Sequence, residues 1–150
     1  MRGRPAGSDG GPGRTFVQSI DGGPPRPITR PGTSVDRVSP DGRYGTIGDS
    51  LLALDEGSSV PLRGVGPGDL PIRFSSDGRK LFLWRWGELP AKVYRVDLDS
   101  GRREVWRALM PADPAGIVAI GPVQITPDGR TCAFTYGRLI SNLYLVGGLK

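Results

Sequence analysis

The sequence predicts an all-β protein built from short antiparallel strands, and three observations carry this prediction. The 150 residues include 24 Gly and 15 Pro, a content of breakers that disfavours long helices. The apolar residues are grouped in short runs that are separated by turn-forming residues. A six-residue pattern occurs three times, at 38–43 (VSPDGR), 74–79 (FSSDGR) and 125–130 (ITPDGR).

Each copy of this pattern predicts a tight hairpin turn. Proline at the first corner presets φ, Asp can bond the backbone two residues further on, and Gly adopts the left-handed conformation. We expect a three-residue loop with a glycine bulge between antiparallel strands. The predicted structural turn residues are Asp41, Gly42, Asp77, Gly78, Asp128 and Gly129. Strand-like runs follow at 44–47, 81–86 and 131–136, and the second of them has apolar residues on both faces, which predicts burial on both sides.

A second turn type alternates with the first, at 21–23 (DGG), 55–57 (DEG) and 99–101 (DSG). One unit therefore has four antiparallel strands, which is typical of a β-propeller blade. The predicted fold is a partial β-propeller of about three four-stranded antiparallel blades. The predicted divisions are a disordered Gly/Pro/Arg-rich tail at 1–13 and a propeller at 14–150, with blades or blade remnants at 14–29, 35–64, 71–108 and 117–146. The last remnant includes a predicted strand at 143–146.

The composition argues against catalysis. Histidine is absent, which excludes Ser-His triads and histidine-ligated metals, and a single cysteine, Cys132, cannot form an internal disulfide. We therefore expect no enzymatic activity, no cofactor and no metal site. The net charge of +5 comes mainly from 17 scattered arginines, which we interpret as solvated turn and edge-strand residues rather than a nucleic-acid surface. No signal peptide and no transmembrane run is visible.

The candidate binding residues lie on the longer loops. Antiparallel connectivity places the short Asp-Gly turns at one end of each blade and the connections 87–91 and 110–116 at the other. Functional residues concentrate on long loops that a rigid scaffold holds. The predicted ligand-facing residues at this loop-rich end are Arg85, Trp86, Glu88, Asp113 and Arg138.

Four stretches carry a resemblance to known proteins: 17–27 (VQSIDGGPPRP), 68–79 (GDLPIRFSSDGR), 88–98 (ELPAKVYRVDL) and 141–150 (SNLYLVGGLK). With the repeated turn, they resemble the TolB-like, WD-type repeats of bacterial β-propellers. They are still more similar to the propeller at the carboxyl end of acidobacterial-type serine/threonine protein kinases. In that family the chain finishes near such a Leu-Tyr-Leu-Val segment, so we expect Lys150 to be a natural end.

The resemblance implies a non-catalytic binding or scaffolding module, since the chain lacks the kinase motifs themselves. In such kinases the propeller is an extracytoplasmic sensor region of a membrane-anchored protein. The expected partner is a protein, a peptide or a small ligand at the loop-rich end, with self-association through open blade edges as a further possibility. Two alternatives stay open: an accessory domain of a TolB-like or peptidase-type protein, and an incomplete remnant without independent function.

Overall fold

The computed structural model describes residues 13–141, which form twelve antiparallel β-strands and no helix. The predicted strand at 143–146 and all but the last residue of the predicted tail lie outside the described residues. The first sheet is β1 (Phe16–Ser19) and β2 (Gly22–Pro27). The second is β3 (Arg37–Val38), β4 (Tyr44–Ile47), β5 (Ser50–Ala53) and β6 (Ser59–Pro61). The third is β7 (Asp69–Phe74), β8 (Lys80–Arg85), β9 (Ala91–Asp97) and β10 (Arg103–Leu109). The fourth is β11 (Ile117–Ile125) and β12 (Cys132–Arg138).

The sheets are arranged as consecutive propeller blades, which confirms the predicted fold class. Within each four-stranded sheet the spatial order follows the chain order, and every pair is antiparallel. Neighbouring sheets meet through their first strands, because β3 contacts β7 and β7 contacts β11. The first strand of each of these sheets is therefore its inner strand, and the strands that follow it lead outwards.

Arginine side chains join these inner strands. The Nε of Arg37 on β3 donates to the carbonyl oxygen of Ile72 on β7 at 2.5 Å. Nη1 of Arg73 on β7 donates to the carbonyl oxygen of Ile125 on β11 at 3.0 Å. The interpretation of the arginines as solvated turn and edge residues was therefore wrong at these positions. A guanidinium carries several donors on a long stem, so it can cross from one sheet to the next and satisfy a carbonyl there.

The core consists of two apolar layers on either side of the third sheet. Strand β8 contributes to both: Leu81 and Leu83 pack towards the second sheet, while Phe82 and Trp84 pack towards the fourth. All four side chains are buried. The predicted burial of this strand on both faces is confirmed, because a blade in the middle of the chain has a neighbour on each side.

The three Pro/Ser-Asp-Gly turns share one geometry, which differs from the predicted three-residue loop. In the first turn, the N–H of Ser39 bonds to the carbonyl of Tyr44, and four residues lie between them. The reason is the hydroxyl group. Ser39 Oγ accepts the N–H of Tyr44 at 2.9 Å and so replaces the second main-chain bond of a tighter hairpin. Ser75 and Thr126 do the same in the other two turns.

The first hairpin also differs from its prediction. Its turn consists of Ile20 and Asp21, and strand β2 already begins at Gly22, whereas the sequence predicted a turn over 21–23. The pairing of Ser19 with Gly22 shortens the loop to these two residues. Gly22 and Gly23 have positive φ values within the strand, so their freedom serves the start of β2.

Candidate functional site

The end of β8 and the connection to β9 lie at the loop-rich end and carry three of the five predicted site residues. Arg85 ends β8, and Trp86 and Glu88 follow it in the connection. The connection from β10 to β11 contains Asp113, and Arg138 ends β12. Because successive strands of these sheets run in opposite directions, both connections and the end of β12 lie at the same end of their sheets.

A buried carboxylate holds the base of the β8–β9 connection. The side chain of Asp69, at the start of β7, is completely buried. Its Oδ1 accepts Nη2 of Arg85 at 2.9 Å and Nη2 of Arg103 at 3.1 Å. Its Oδ2 accepts Nη1 of Arg103 at 2.5 Å and the N–H of Gly66 at 2.9 Å. One carboxylate thus joins two guanidinium groups and the loop that precedes β7.

The electrostatics favour the ionised form of this carboxylate. Burial by itself raises the pKa of Asp69, but the hydrogen bonds that Arg103, Gly66 and Arg85 donate outweigh it. The pKa of Asp69 is therefore below its ordinary value. Burial by itself lowers the pKa of Arg103, but its contacts with Asp69 and Tyr94 outweigh this effect and raise that pKa. This cluster is a charged structural anchor in which no buried side-chain nitrogen or oxygen lacks a hydrogen-bond partner.

The anchor extends to the predicted site residue Glu88. The guanidinium carbon of Arg103 lies 3.7 Å from the centre of the Tyr94 ring, a cation–π distance. The hydroxyl of Tyr94 donates to the Glu88 carboxylate, with oxygen distances of 2.9 and 3.0 Å. Glu88 is half-buried and already engaged by Tyr94, so its role in this arrangement is to hold the connection in place.

Trp86 is the exposed residue of the group. Its side chain is 60% exposed, although it lies edge-to-face against the buried Trp84, with ring centres 5.6 Å apart. Leu89, three residues further on, is 43% exposed. A large aromatic surface is therefore presented to solvent on a connection that Arg85 and Glu88 fix on either side.

Asp113 and Arg138 form a separate pair. Nη1 of Arg138 lies 2.8 Å from Oδ2 of Asp113, and Nη2 donates to the Asp113 carbonyl at 2.6 Å. The N–H of Ala115 and the Arg138 guanidinium lower the pKa of Asp113. This two-point contact ties the β10–β11 connection to the end of β12. The pairing arises from the topology, since 25 residues separate the two partners.

Sequence reasoning missed Asp69, Tyr94 and Arg103, which organise the site. Asp69 and Arg103 are 34 residues apart, and neither belongs to a repeated motif. One signal was available: Asp69 lies just before the predicted blade at 71–108, and an acidic residue that is buried next to a sheet needs a partner. The identity of that partner depends on how the sheet twists, which the sequence pattern does not encode.

The predicted turn residues lie at the opposite end. Asp41, Asp77 and Asp128, here called the turn aspartates, each accept a hydroxyl hydrogen bond from the Ser or Thr two residues earlier. They also accept the N–H of the residue two positions later. These bonds lower the pKa of all three carboxyl groups, with the hydroxyl contact as the largest cause. All of these contacts are local and serve the turns themselves.

Within residues 13–141, no cluster of three or more Cys, Asp or Glu residues has the spacing of a metal site. Cys132 is half-buried and packs against the apolar layer between the third and fourth sheets. None of the secondary structure described for this chain is a helix of the length and apolarity that a membrane crossing requires.

Comparison with known proteins gives similarity at the level of structure only. No protein-family model matches the sequence, and no curated protein matches it. The chain is similar to the crystal structure of TolB from Acinetobacter baumannii, with a TM-score of 0.58 and 17% identity over 86% of this chain. It is also similar to a putative TolB from Agrobacterium tumefaciens, with a TM-score of 0.50 and 20% identity over 83% of this chain.

These similarities support the fold. The chain spans 33% of the first structure and 46% of the second, so it corresponds to a part of each. The fold is that of a section of a TolB-like β-propeller.

Proposed function

We propose that this chain is a non-catalytic binding module, a section of a propeller that recognises a protein or peptide through the β8–β9 connection. The observation that carries the proposal is the exposure of Trp86 on an anchored loop. Tryptophan is enriched among residues that dominate the energy of protein interfaces. A loop that is already fixed loses little conformational freedom when a partner binds.

The contacts around the loop support this function. The bond from Arg85 to Asp69 fixes its beginning, and the bond from Tyr94 to Glu88 fixes its middle. Leu89 adds apolar surface next to this point. The chain as a whole has a net charge of +5, which favours an acidic partner.

Selection from a displayed random-peptide library tests the proposal. Peptides selected on the full chain should lose about 30-fold in affinity for Trp86→Ala, because truncation of a central aromatic residue typically costs about 2 kcal/mol. Glu88→Ala should weaken binding less, since it acts through the loop. Val60→Ala is the matched control: Val60 is 58% exposed but lies on β6, in another sheet. Peptides that bind Trp86→Ala as tightly as the original chain would contradict the proposal.

The kinase resemblance supports a finer form of this proposal. In that form the module senses an extracytoplasmic ligand as part of a membrane-anchored serine/threonine kinase, and the four stretches at 17–27, 68–79, 88–98 and 141–150 support it. The genomic sequence preceding Met1 tests this form. A kinase-coding segment with an apolar helix and further Pro-Asp-Gly repeats is the expected finding. A hydrolase segment with Gly-x-Ser-x-Gly and a downstream His would indicate the peptidase alternative instead.

A further inference from the structure

A pocket of about 200 Å³ lies on the outer strands of the second sheet, at the end that carries the Asp-Gly turns. Its floor is apolar and comes from Tyr44 on β4, Leu51 and Ala53 on β5, and Val60 on β6. Tyr44 is paired with Ala53, and Leu51 is paired with Val60, so alternation along the strands brings all four side chains to one face. Leu51 packs against the core cluster that contains Leu81, so this face looks towards the third sheet, whose four strands are all described.

Three charged side chains form the rim of this pocket. Arg43 directly follows the first Pro-Asp-Gly turn, and its guanidinium carbon lies 5.8 Å from the centre of the Tyr44 ring. Asp55 and Glu56 lie in the turn between β5 and β6. Within residues 13–141, none of the three takes part in an ion pair. The rim therefore offers a positive group and two negative groups to a ligand that lies on the apolar floor.

The third sheet has a pocket of about 210 Å³ at the equivalent position, and its chemistry is different. The lining residues of the two pockets correspond in their distance from the turns and in strand pairing. The second sheet has Leu51 opposite Val60 at this point. The third sheet has Arg95 opposite Glu104, and these two side chains form an ion pair with each other. The third sheet thus satisfies its own charges there, whereas the second sheet combines an apolar floor with a charged rim.

We propose that the second-sheet pocket binds a free α-amino acid with an aliphatic side chain of medium size, such as leucine. At neutral pH a free amino acid has a carboxylate and an ammonium group on the carbon that carries its side chain. The carboxylate pairs with Arg43, because the donors of a guanidinium form a fork that matches a carboxylate. The ammonium group pairs with Asp55 or Glu56. The side chain lies on the floor, against Leu51 and Val60.

The size and the place of the pocket agree with this ligand. Sites for drug-sized molecules typically have about 300 to 1,000 Å³, and this pocket is smaller. A peptide offers only one of the two charged groups at each of its ends, so both sides of the rim favour a free amino acid. The pocket lies at the turn end of the second sheet, whereas Trp86 lies at the loop-rich end of the third. The inference therefore goes beyond the proposed function and does not depend on it.

Nuclear magnetic resonance of the isotope-labelled full chain, titrated with L-leucine, tests the proposal. Backbone amide shifts should change around 43–44 and 51–60 and stay unchanged around the third-sheet pocket. Two derivatives separate a free amino acid from the end of a peptide. N-acetyl-L-leucine keeps the carboxylate, as at a carboxyl terminus, and L-leucine amide keeps the ammonium group, as at an amino terminus. Each should bind about fivefold more weakly than leucine, because each loses one exposed ion pair.

Variants of the chain assign the site. Arg43→Gln should weaken leucine binding about fivefold. Arg79→Gln is the matched control and should leave binding unchanged, because Arg79 is exposed after the same turn in the third sheet. Leu51→Arg combined with Val60→Glu gives the floor the chemistry of the third sheet and should abolish binding. If far-ultraviolet circular dichroism shows that this double variant does not fold, Arg43→Gln decides by itself.

Three results would overturn the proposal. The first is an absence of shift changes at about 10 mM leucine, a concentration at which a millimolar site is mostly occupied. Because the full chain is used, occupation of the pocket by residues 1–12 or 142–150 would also give this result. The second is equal binding of leucine and either derivative, which would indicate the end of a peptide as the ligand. The third is equal binding by Arg43→Gln and Arg79→Gln.

Discussion

The buried carboxylate of Asp69 offers the sharpest test of how this blade is held together. In Asp69→Asn the side chain keeps its size but loses its charge and one acceptor. The amide N–H groups of the asparagine would then face the N–H donors of two guanidinium groups. Breaking a buried ion pair by removing one partner costs about 3 to 5 kcal/mol. The side chains of Arg85 and Arg103 are 40% and 24% exposed, so water regains part of their solvation. We therefore expect a loss of about 2 to 3 kcal/mol in the free energy of unfolding.

Urea and thermal unfolding measure this loss. The fluorescence of the three tryptophans reports on the third sheet, because Trp84, Trp86 and Trp106 all lie on its strands or on its β8–β9 connection. The midpoint temperature should fall by about 5 to 10 °C for a chain of this size. Asp99→Asn is the matched control, because Asp99 is exposed in the turn between β9 and β10 of the same sheet. It should change stability by less than about 0.5 kcal/mol. If Asp69→Asn were as stable as this control, the carboxylate would not be an anchor, and the account of the site would be refuted.

Three further predictions concern pH, one turn and the packing between sheets. The pKa values of Asp69 and the turn aspartates are lower in the folded chain than the ordinary 3.8. Their contribution to the free energy of unfolding is therefore complete above that pH and is lost as the pH falls through the lowered values. Acid titration followed by circular dichroism should show this loss of stability, and the loss should be smaller in Asp69→Asn. Gly78→Ala should lower the free energy of unfolding by about 1 kcal/mol, because Gly78 has φ +71°, whereas a Cβ there would have its nearest neighbour at 3.9 Å and so would not clash. Gly66→Ala, at a position without positive φ, should leave stability unchanged in the same urea unfolding experiment. Equal losses in the two variants would contradict the backbone explanation. Gly121→Ala should destabilise by about 3 kcal/mol, because its Cβ would lie 2.0 Å from the Trp84 ring and φ is +136°; an unchanged fluorescence spectrum and midpoint would show that the fourth sheet does not pack there.

The strands and turns could be predicted because the interactions that form them are local. In 38–43, 74–79 and 125–130, the Asp carboxylate accepts the N–H two residues later, and Gly adopts the left-handed backbone conformation that the turn requires. Because these interactions span only a few residues, the short sequence pattern is enough to predict the turn. A Ser or Thr stands second in each copy of the pattern, but its role in replacing a main-chain bond was not predicted. That role requires a loop of four residues, as between Ser39 and Tyr44. The same sequence pattern is equally compatible with a loop of three, so the pattern alone does not reveal the role.

The two tryptophans of the predicted strand at 81–86 show where the alternating pattern stops predicting burial. Trp84 and Trp86 are two residues apart, so the alternating pattern assigned them to one face of the same strand. The strand ends at Arg85, and the fourth sheet covers only the first of them: Trp84 is buried and Trp86 is exposed. The difference that makes Trp86 a candidate binding residue comes from where the neighbouring sheet ends.

The sequence by itself determined that this protein is a series of short antiparallel strands with hairpin turns, because φ preferences, strand alternation and turn bonds act over a few residues. Only the tertiary structure decided which charges meet. Asp69 accepts from Arg85 on the adjacent strand and from Arg103 at the far edge of the sheet, and Arg37 and Arg73 reach carbonyls on other sheets. These contacts depend on the twist and stacking of whole sheets, which add up over many residues and leave no short pattern in the chain.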